Sequence, residues 1–166
     1  CSSLASITIP ESVTSIPGMT FYYCSNLKSI TTPESITSIG DNAFYCCTNL
    51  KRVNISNLSV WYKISIGYNG NPLGHGANLY VNDELVTDIV IPSDITSVNP
   101  YLFHGCTSIR SVVIPEGVIS IGEYAFSGCS SLTSIIIPEG VISIGEYAFR
   151  GCSSLTSIFI PAGVVS

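Results

Sequence analysis

Charge is scarce in this chain. Only 10% of its 166 residues are Asp, Glu, Lys or Arg, against about 25% in ordinary globular domains. Six basic residues face eleven acidic ones, and the longest basic run is the pair Lys51-Arg52. That leaves no electrostatic footprint for nucleic acid or anionic lipid. No apolar run approaches the roughly 18 residues of a membrane helix. No basic start followed by an apolar segment opens the chain either. Histidine occurs twice, as His75 and His104, without an HExxH, a Ser-nucleophile motif or a phosphate-cradling glycine loop beside it. The seven cysteines contain no CxxC pairing of the kind that holds zinc. These absences argue against an enzyme, a cofactor and a metal.

What is present is apolar and β-branched. The hydrophobic share is 46%, with 23 Ile and 13 Val against 10 Leu. Such a composition excludes disorder and suits half-buried strands better than helix interiors.

The apolar residues also recur. Cys1, Cys24 and Cys47 stand 23 residues apart, and so do Cys106, Cys129 and Cys152. Counting each cysteine as zero, offset three holds Leu4, Leu27, Leu50, Ile109, Leu132 and Leu155, and offset six holds Ile7, Ile30, Val53, Val112, Ile135 and Ile158. Offset eight continues the alternation with Ile9, Thr32, Ile55, Ile114, Ile137 and Ile160, and in five of the six cases proline follows to end the strand. A second apolar pair, such as Val118 with Ile121, predicts another short extended segment. A Gly and an Ala-Phe pair then predict a single inward-facing helical turn. A fixed period of this kind is the signature of a solenoid.

Stepping back 23 from Cys106 lands on Asp83, and residues 83–105 keep the pattern without the cysteine. The 36 residues from Cys47 to Asp83 exceed one repeat by thirteen, which predicts an insertion within 56–82. The expected organisation is one solenoid over residues 1–166. Its repeats lie near 1–23, 24–46, 47–82 with the insertion, 83–105, 106–128, 129–151 and a partial 152–166. Neither end carries a polar cap, so the chain reads as a piece of a longer protein. Its uncapped ends are a possible route to self-association.

The phrase L-x-x-I-x-I-P-x-x-V-x-x-I-G-x-x-A-F-x-x-C, complete at residues 132–152, resembles the BspA-like leucine-rich repeats. The resemblance implies a right-handed, mainly β solenoid, with one parallel sheet, a second short strand and a helical turn per repeat. It also implies a noncatalytic, secreted or cell-surface protein of a host-associated microbe, adhering to host or matrix proteins.

Three sets of residues are candidates for binding. Alternation points offset seven outward from the strands: Thr8, Thr31, Asn54, then Val90, Val113, Ile136 and Phe159. The last four would form an apolar stripe fit for a protein partner, and Lys28, Lys51 and Arg52 lie at the polar end of the same face. The insertion carries Trp61, Tyr62 and Tyr68 with Asn69 and Asn71, a set that can stack on and hydrogen-bond a sugar. A structural spacer is the third possibility. The sequons at Asn54 and Asn57 have meaning only in a eukaryotic secretory route. The ladder of cysteines is expected to be buried free thiols.

Overall fold

The computed structural model describes residue 1 and residues 3–166. Its first coil holds β1 (Ser6–Thr8) and β2 (Ser15–Ile16), and its second β3 (Ser29–Thr31) and β4 (Ser38–Ile39). The third has β5 (Arg52–Ile55), a one-turn helix α1 (Leu58–Trp61) and β6 (Ser65–Ile66). The fourth opens on a hairpin, β7 (Asn78–Val81) and β8 (Glu84–Leu85), followed by β9 (Asp88–Val90) and β10 (Ser97–Val98). The next two have β11 (Ser111–Val113) with β12 (Ser120–Ile121), and β13 (Ser134–Ile136) with β14 (Ser143–Ile144).

The 23-residue period becomes a parallel ladder: Ile7 pairs with Ile30 and Ile30 with Val53, while Val112 lies between Ile89 and Ile135. Leu27, Ile30, Leu50, Val53, Ile109 and Leu132 are fully buried between coils. A coil buries its apolar side only against its neighbours, so this stacking is where the stability lies. The Ala-Phe segment keeps i→i+3 bonds, as from Ala125 N–H to Gly122 O at 3.2 Å. Its other amides bond to the next coil, as from Phe126 N–H to Ala148 O at 2.9 Å.

Helix cannot continue there because left-handed residues bracket each segment. One such position holds Met19, Asn42, Asn69, Tyr101, Tyr124 and Tyr147, and the other Tyr23, Cys46, Gly76, Gly105, Gly128 and Gly151. Cys46 therefore fills a backbone slot that suits glycine. All seven cysteines are free thiols. Those of Cys47, Cys129 and Cys152 donate to Phe21 O, Phe103 O and Phe126 O at 3.0, 3.3 and 3.1 Å.

The extra residues of the third and fourth coils do not form one block. Four precede Gly67, around α1, and three lie between Gly67 and Gly76, as the spacing of Gly40 and Cys46 one coil earlier shows. The remaining six are taken up in the β7–β8 hairpin, which runs from Asn78 to Leu85. Ala77, directly after the left-handed Gly76, takes the place of the missing cysteine. Asp83, which the spacing assigns to that place, instead sits with Asn82 at the hairpin tip, both at positive φ as a two-residue hairpin turn requires.

Both ladders break at this junction. β8 ends the first front sheet, β9 begins the next, and the back strands β6 and β10 are not bonded to each other. Side chains bridge the seam. Trp61 Nε1–H donates to Leu102 O at 3.1 Å, Asn99 Nδ2 to Ile64 O at 2.9 Å, and Asn71 Nδ2 to Tyr101 O.

Candidate functional site

The front sheet places its outward residues as strand alternation requires. Val112 is buried and its neighbour Val113 is 54% exposed; Val90 and Ile136 are 66% and 76% exposed. Phe159 is exposed as well, but it lies outside any strand, and Ile158 and Ile160 beside it are also exposed. Val90, Val113 and Ile136 are direct partners across β9, β11 and β13. Asp88, Ser111 and Ser134 stand two residues earlier on the same face, so a carboxylate and two small side chains flank the stripe. Beyond β11 and β13 a Pro-Glu turn sets Glu116 and Glu139 in the open. Neither carboxylate takes part in an ion pair among the described residues.

In the first three coils the same slot is polar, with Thr8 exposed and Thr31 and Asn54 half-buried. Tyr80 of β7 takes the rung beside Asn54. It belongs to this face, although the sequence groups it with the insertion. The Arg52 guanidinium lies 3.8 Å from the Tyr80 ring centroid, its Nε donates to Asn54 Oδ1 at 2.6 Å, and its Nη2 lies 2.6 Å from Asp83 Oδ1. Arg52 is thus engaged within the chain. Lys28 and Lys51 remain exposed, with Lys51 Nζ 3.5 Å from His75 O.

The aromatic residues of the insertion separate. Trp61 is 1% exposed and Tyr62 3%. The Tyr62 hydroxyl donates to Val90 O at 3.1 Å, and burial pushes its pKa up to about 12. Both rings fill the wedge between the third and fourth coils, where the ladder bonds are missing, and neither has a free face to offer a sugar. Tyr68 stays 60% exposed, edge-on to Tyr101. A shallow cleft beside it is lined by Tyr45, Asn69, Asn71, Gly74, His75 and His104. His75 Nε2 accepts the Cys46 N–H at 3.1 Å. Burial, then the nearby Lys51, holds its pKa below the usual histidine value, and burial does the same to His104.

Two surface features escape the sequence reading. Ile119 and Ile142, 23 apart, form a second exposed apolar row beyond the Pro-Glu corner. Tyr101, Tyr124 and Tyr147 stack with ring centroids 5.4 and 5.0 Å apart. The signal for both was in the repeat, at offsets 13 and 18, but it concerns outward positions, which the core pattern does not constrain.

No group of His, Cys, Asp and Glu among the described residues is arranged to hold a metal ion. Among the same residues, no helix is long and apolar enough to cross a membrane.

The sequence matches the BspA type leucine rich repeat region in six copies, over residues 1–65 and 76–166. The gap at 66–75 falls on the irregular turn before Gly76. A leucine rich cell surface protein from Faecalibacterium prausnitzii has a similar structure, with a TM-score of 0.59 and 32% identity over 92% of this chain. This chain spans 46% of that protein's length. The leucine rich repeat protein of T. pallidum shares the fold at a TM-score of 0.56 and 22% identity, over 93% of this chain and 79% of its own. No functionally curated protein matches the sequence.

Proposed function

The chain belongs to the BspA-type leucine-rich repeat family, and from that premise we propose that it is a noncatalytic module of a secreted or cell-surface protein, binding a host or matrix protein through the front sheet of its last coils. One observation carries this reading. Val90, Val113 and Ile136 are all more than half exposed on successive rungs, with Phe159 exposed beyond them, whereas a solvated face is served as well by the threonines of the first coils.

The bonded part of the stripe, from Val90 to Ile136, is about 10 Å long at ~4.8 Å per rung and one residue wide. That is well below the roughly 800 Å² per partner of a stable interface, so each contact is modest. Affinity then comes from the neighbouring polar rungs and from repetition along a stiff ladder. The description of the F. prausnitzii relative as a cell surface protein agrees with this setting.

The test is binding of the chain to a panel of immobilised matrix proteins, beside a variant with Val90, Val113, Ile136 and Phe159 all changed to Ser. These side chains contribute little to the core, so the variant is expected to keep its circular dichroism and melting curve. Binding lost in the folded variant supports the assignment. Binding retained by that variant overturns the assignment to this face, and no binding by the parent chain overturns the binding role and favours a spacer.

A further inference from the structure

Alternate turn amides bond to the next coil, as from Tyr23 N–H to Tyr45 O at 2.9 Å and from Gly105 N–H to Ser127 O at 2.7 Å. The extra residues between Gly67 and Gly76 break this pattern, and the Cys46 N–H meets His75 Nε2 instead of a carbonyl. The cleft beside Tyr68 opens at that fault, with a volume of about 70 Å³. Asn69, Asn71, Gly74 and His75 of its lining come from the irregular turn, so the cleft belongs to this chain and not to the repeat.

We propose that this cleft holds the hydroxyl edge of a neutral sugar, a pyranose whose C–H face rests on Tyr68. The chemistry of the walls selects the class. No carboxylate or ammonium lines the cleft, and Lys51 outside it is turned to His75 O, 3.5 Å from Nζ. Burial holds both imidazoles below the ordinary histidine pKa, so at pH 7 they are uncharged. An anion or a cation therefore finds no counter-charge. What the walls offer is neutral donors and acceptors. The Asn69 amide makes no hydrogen bond among the described residues and supplies one of each kind. His75 Nε2 accepts from Cys46, which leaves the ring proton on Nδ1. His104 buries its Nδ1 and turns Nε2 toward Gly74. Gly74 keeps that approach open, since a Cβ there would lie 3.5 Å from His104 Cδ2. Asn71 is committed to the chain, through Tyr101 O and the Leu73 N–H. Tyr45 walls the cleft, stacked on Tyr22 at 5.4 Å, and the exposed Tyr68 ring stands directly before Asn69. An aromatic ring beside neutral hydrogen-bonding groups matches a pyranose, which has an apolar C–H face and a rim of hydroxyls. The cleft, at about 70 Å³, is far below the roughly 300 Å³ of a pocket that encloses its ligand. It grips one edge of a single sugar unit, with millimolar affinity. The site lies on the turn side and is independent of the protein-binding reading of the front sheet.

The test is an amide NMR titration of the whole, isotope-labelled chain with the methyl glycosides of glucose, galactose, mannose and N-acetylglucosamine. Glycerol is the control for any small polyol. At least one glycoside is expected to shift the amides of residues 68–76 and 101–105 saturably, while glycerol does not. Asn69→Gly suits the φ of 52° at that position and removes only the amide, so it is expected to keep the fold and weaken binding about threefold to tenfold. Tyr68→Ala is expected to weaken it about tenfold. The variant with four front-sheet serines is expected to bind as the parent does. Circular dichroism checks that each variant is folded. Failure of all four glycosides to shift these amides overturns the proposal. So does an equal response to glycerol, or an affinity unchanged in both cleft variants. Each of these results leaves the front-sheet assignment standing, because that assignment is read from the serine variant and the matrix panel.

Discussion

Arg52 is stacked on Tyr80, its guanidinium carbon 3.8 Å from the ring centroid, and the contact ties β5 to the hairpin that interrupts the ladder. The Asp83 carboxylate, 2.6 Å from Arg52 Nη2, closes the arrangement from the hairpin tip. Asp83 is almost fully solvated and Arg52 only partly so, so the cation–π contact outweighs the ion pair. Arg52→Ala is expected to cost about 1 kcal/mol, and Asp83→Asn less than about 0.5 kcal/mol. Urea midpoints of the two variants check the order, and equal losses would mean that the salt bridge dominates.

The buried thiols should be unreactive. Cys24, Cys47, Cys106, Cys129 and Cys152 are buried, whereas Cys1 is exposed and Cys46 half-exposed. Burial pushes the Cys47 thiol up to about 11 and that of Cys129 well above its ordinary value. Ionisation would also remove the proton that each donates to a phenylalanine carbonyl. With an aromatic disulfide reagent at pH 8, two thiols per chain are expected to react fast, and five only at the rate of unfolding. A third fast thiol would show that a coil opens locally.

The core and the outward row were both legible in the sequence, because offsets three, six and eight alternate with offset seven and strand geometry leaves no other assignment. The hairpin was not. Residues 86–105 are in phase with the next repeat, so counting back from Cys106 reaches Asp83 whether or not six residues have been inserted upstream. The period fixes only the net length of an interruption, and Asn78–Val81 has the same β-forming character as a rung. The Asn82-Asp83 turn between apolar pairs was the available sign. The roles of Trp61 and Tyr62 were hidden for a related reason. A ring on an insertion can face solvent or fill the gap that the insertion opens, and only the broken ladder decides between them.

Acid should weaken the junction of the second, third and fourth coils. His75 and His104 have folded pKa values below the ordinary 6.5, both chiefly through burial. Lys51 adds to the effect at His75, and His75 at His104. A lowered histidine pKa means that the unfolded chain takes up protons first. The contribution is therefore whole above pH 6.5 and is lost as the pH falls from there through the folded values. Melting temperature is expected to be level above about pH 7 and to drop between about pH 6.5 and 5. A His75→Asn, His104→Asn variant should flatten that drop. Asp88, bonded to Ser111 and Thr87, and Asp94, bonded to Lys63, have lowered values and act in a separate window near pH 4 and below. A drop that persists unchanged in the double variant would move its cause away from the histidines.

Gly122 sets how closely two coils approach. A Cβ there would lie 2.4 Å from Pro100 N and 2.8 Å from Asn99 C, both backbone atoms of the preceding coil, and Gly145 meets Glu123 N at the same 2.4 Å one coil later. Backbone held by ladder bonds cannot give way by that much, so Gly122→Ala is expected to cost about 3 kcal/mol or more. Gly117, five residues earlier in the same coil, has Ser93 O at 3.7 Å as its nearest neighbour and no positive φ. Gly117→Ala should be neutral, or stabilising by up to about 1 kcal/mol, because it restricts the unfolded chain. In a stack held by nearest-neighbour contacts the damage from Gly122→Ala should stay local. Hydrogen exchange is expected to rise in residues 95–125 while the amides of β1, β3 and β5 keep their protection. Uniform loss of protection would mean that the two halves fold as one cooperative unit, despite the seam at Trp61 and Leu102.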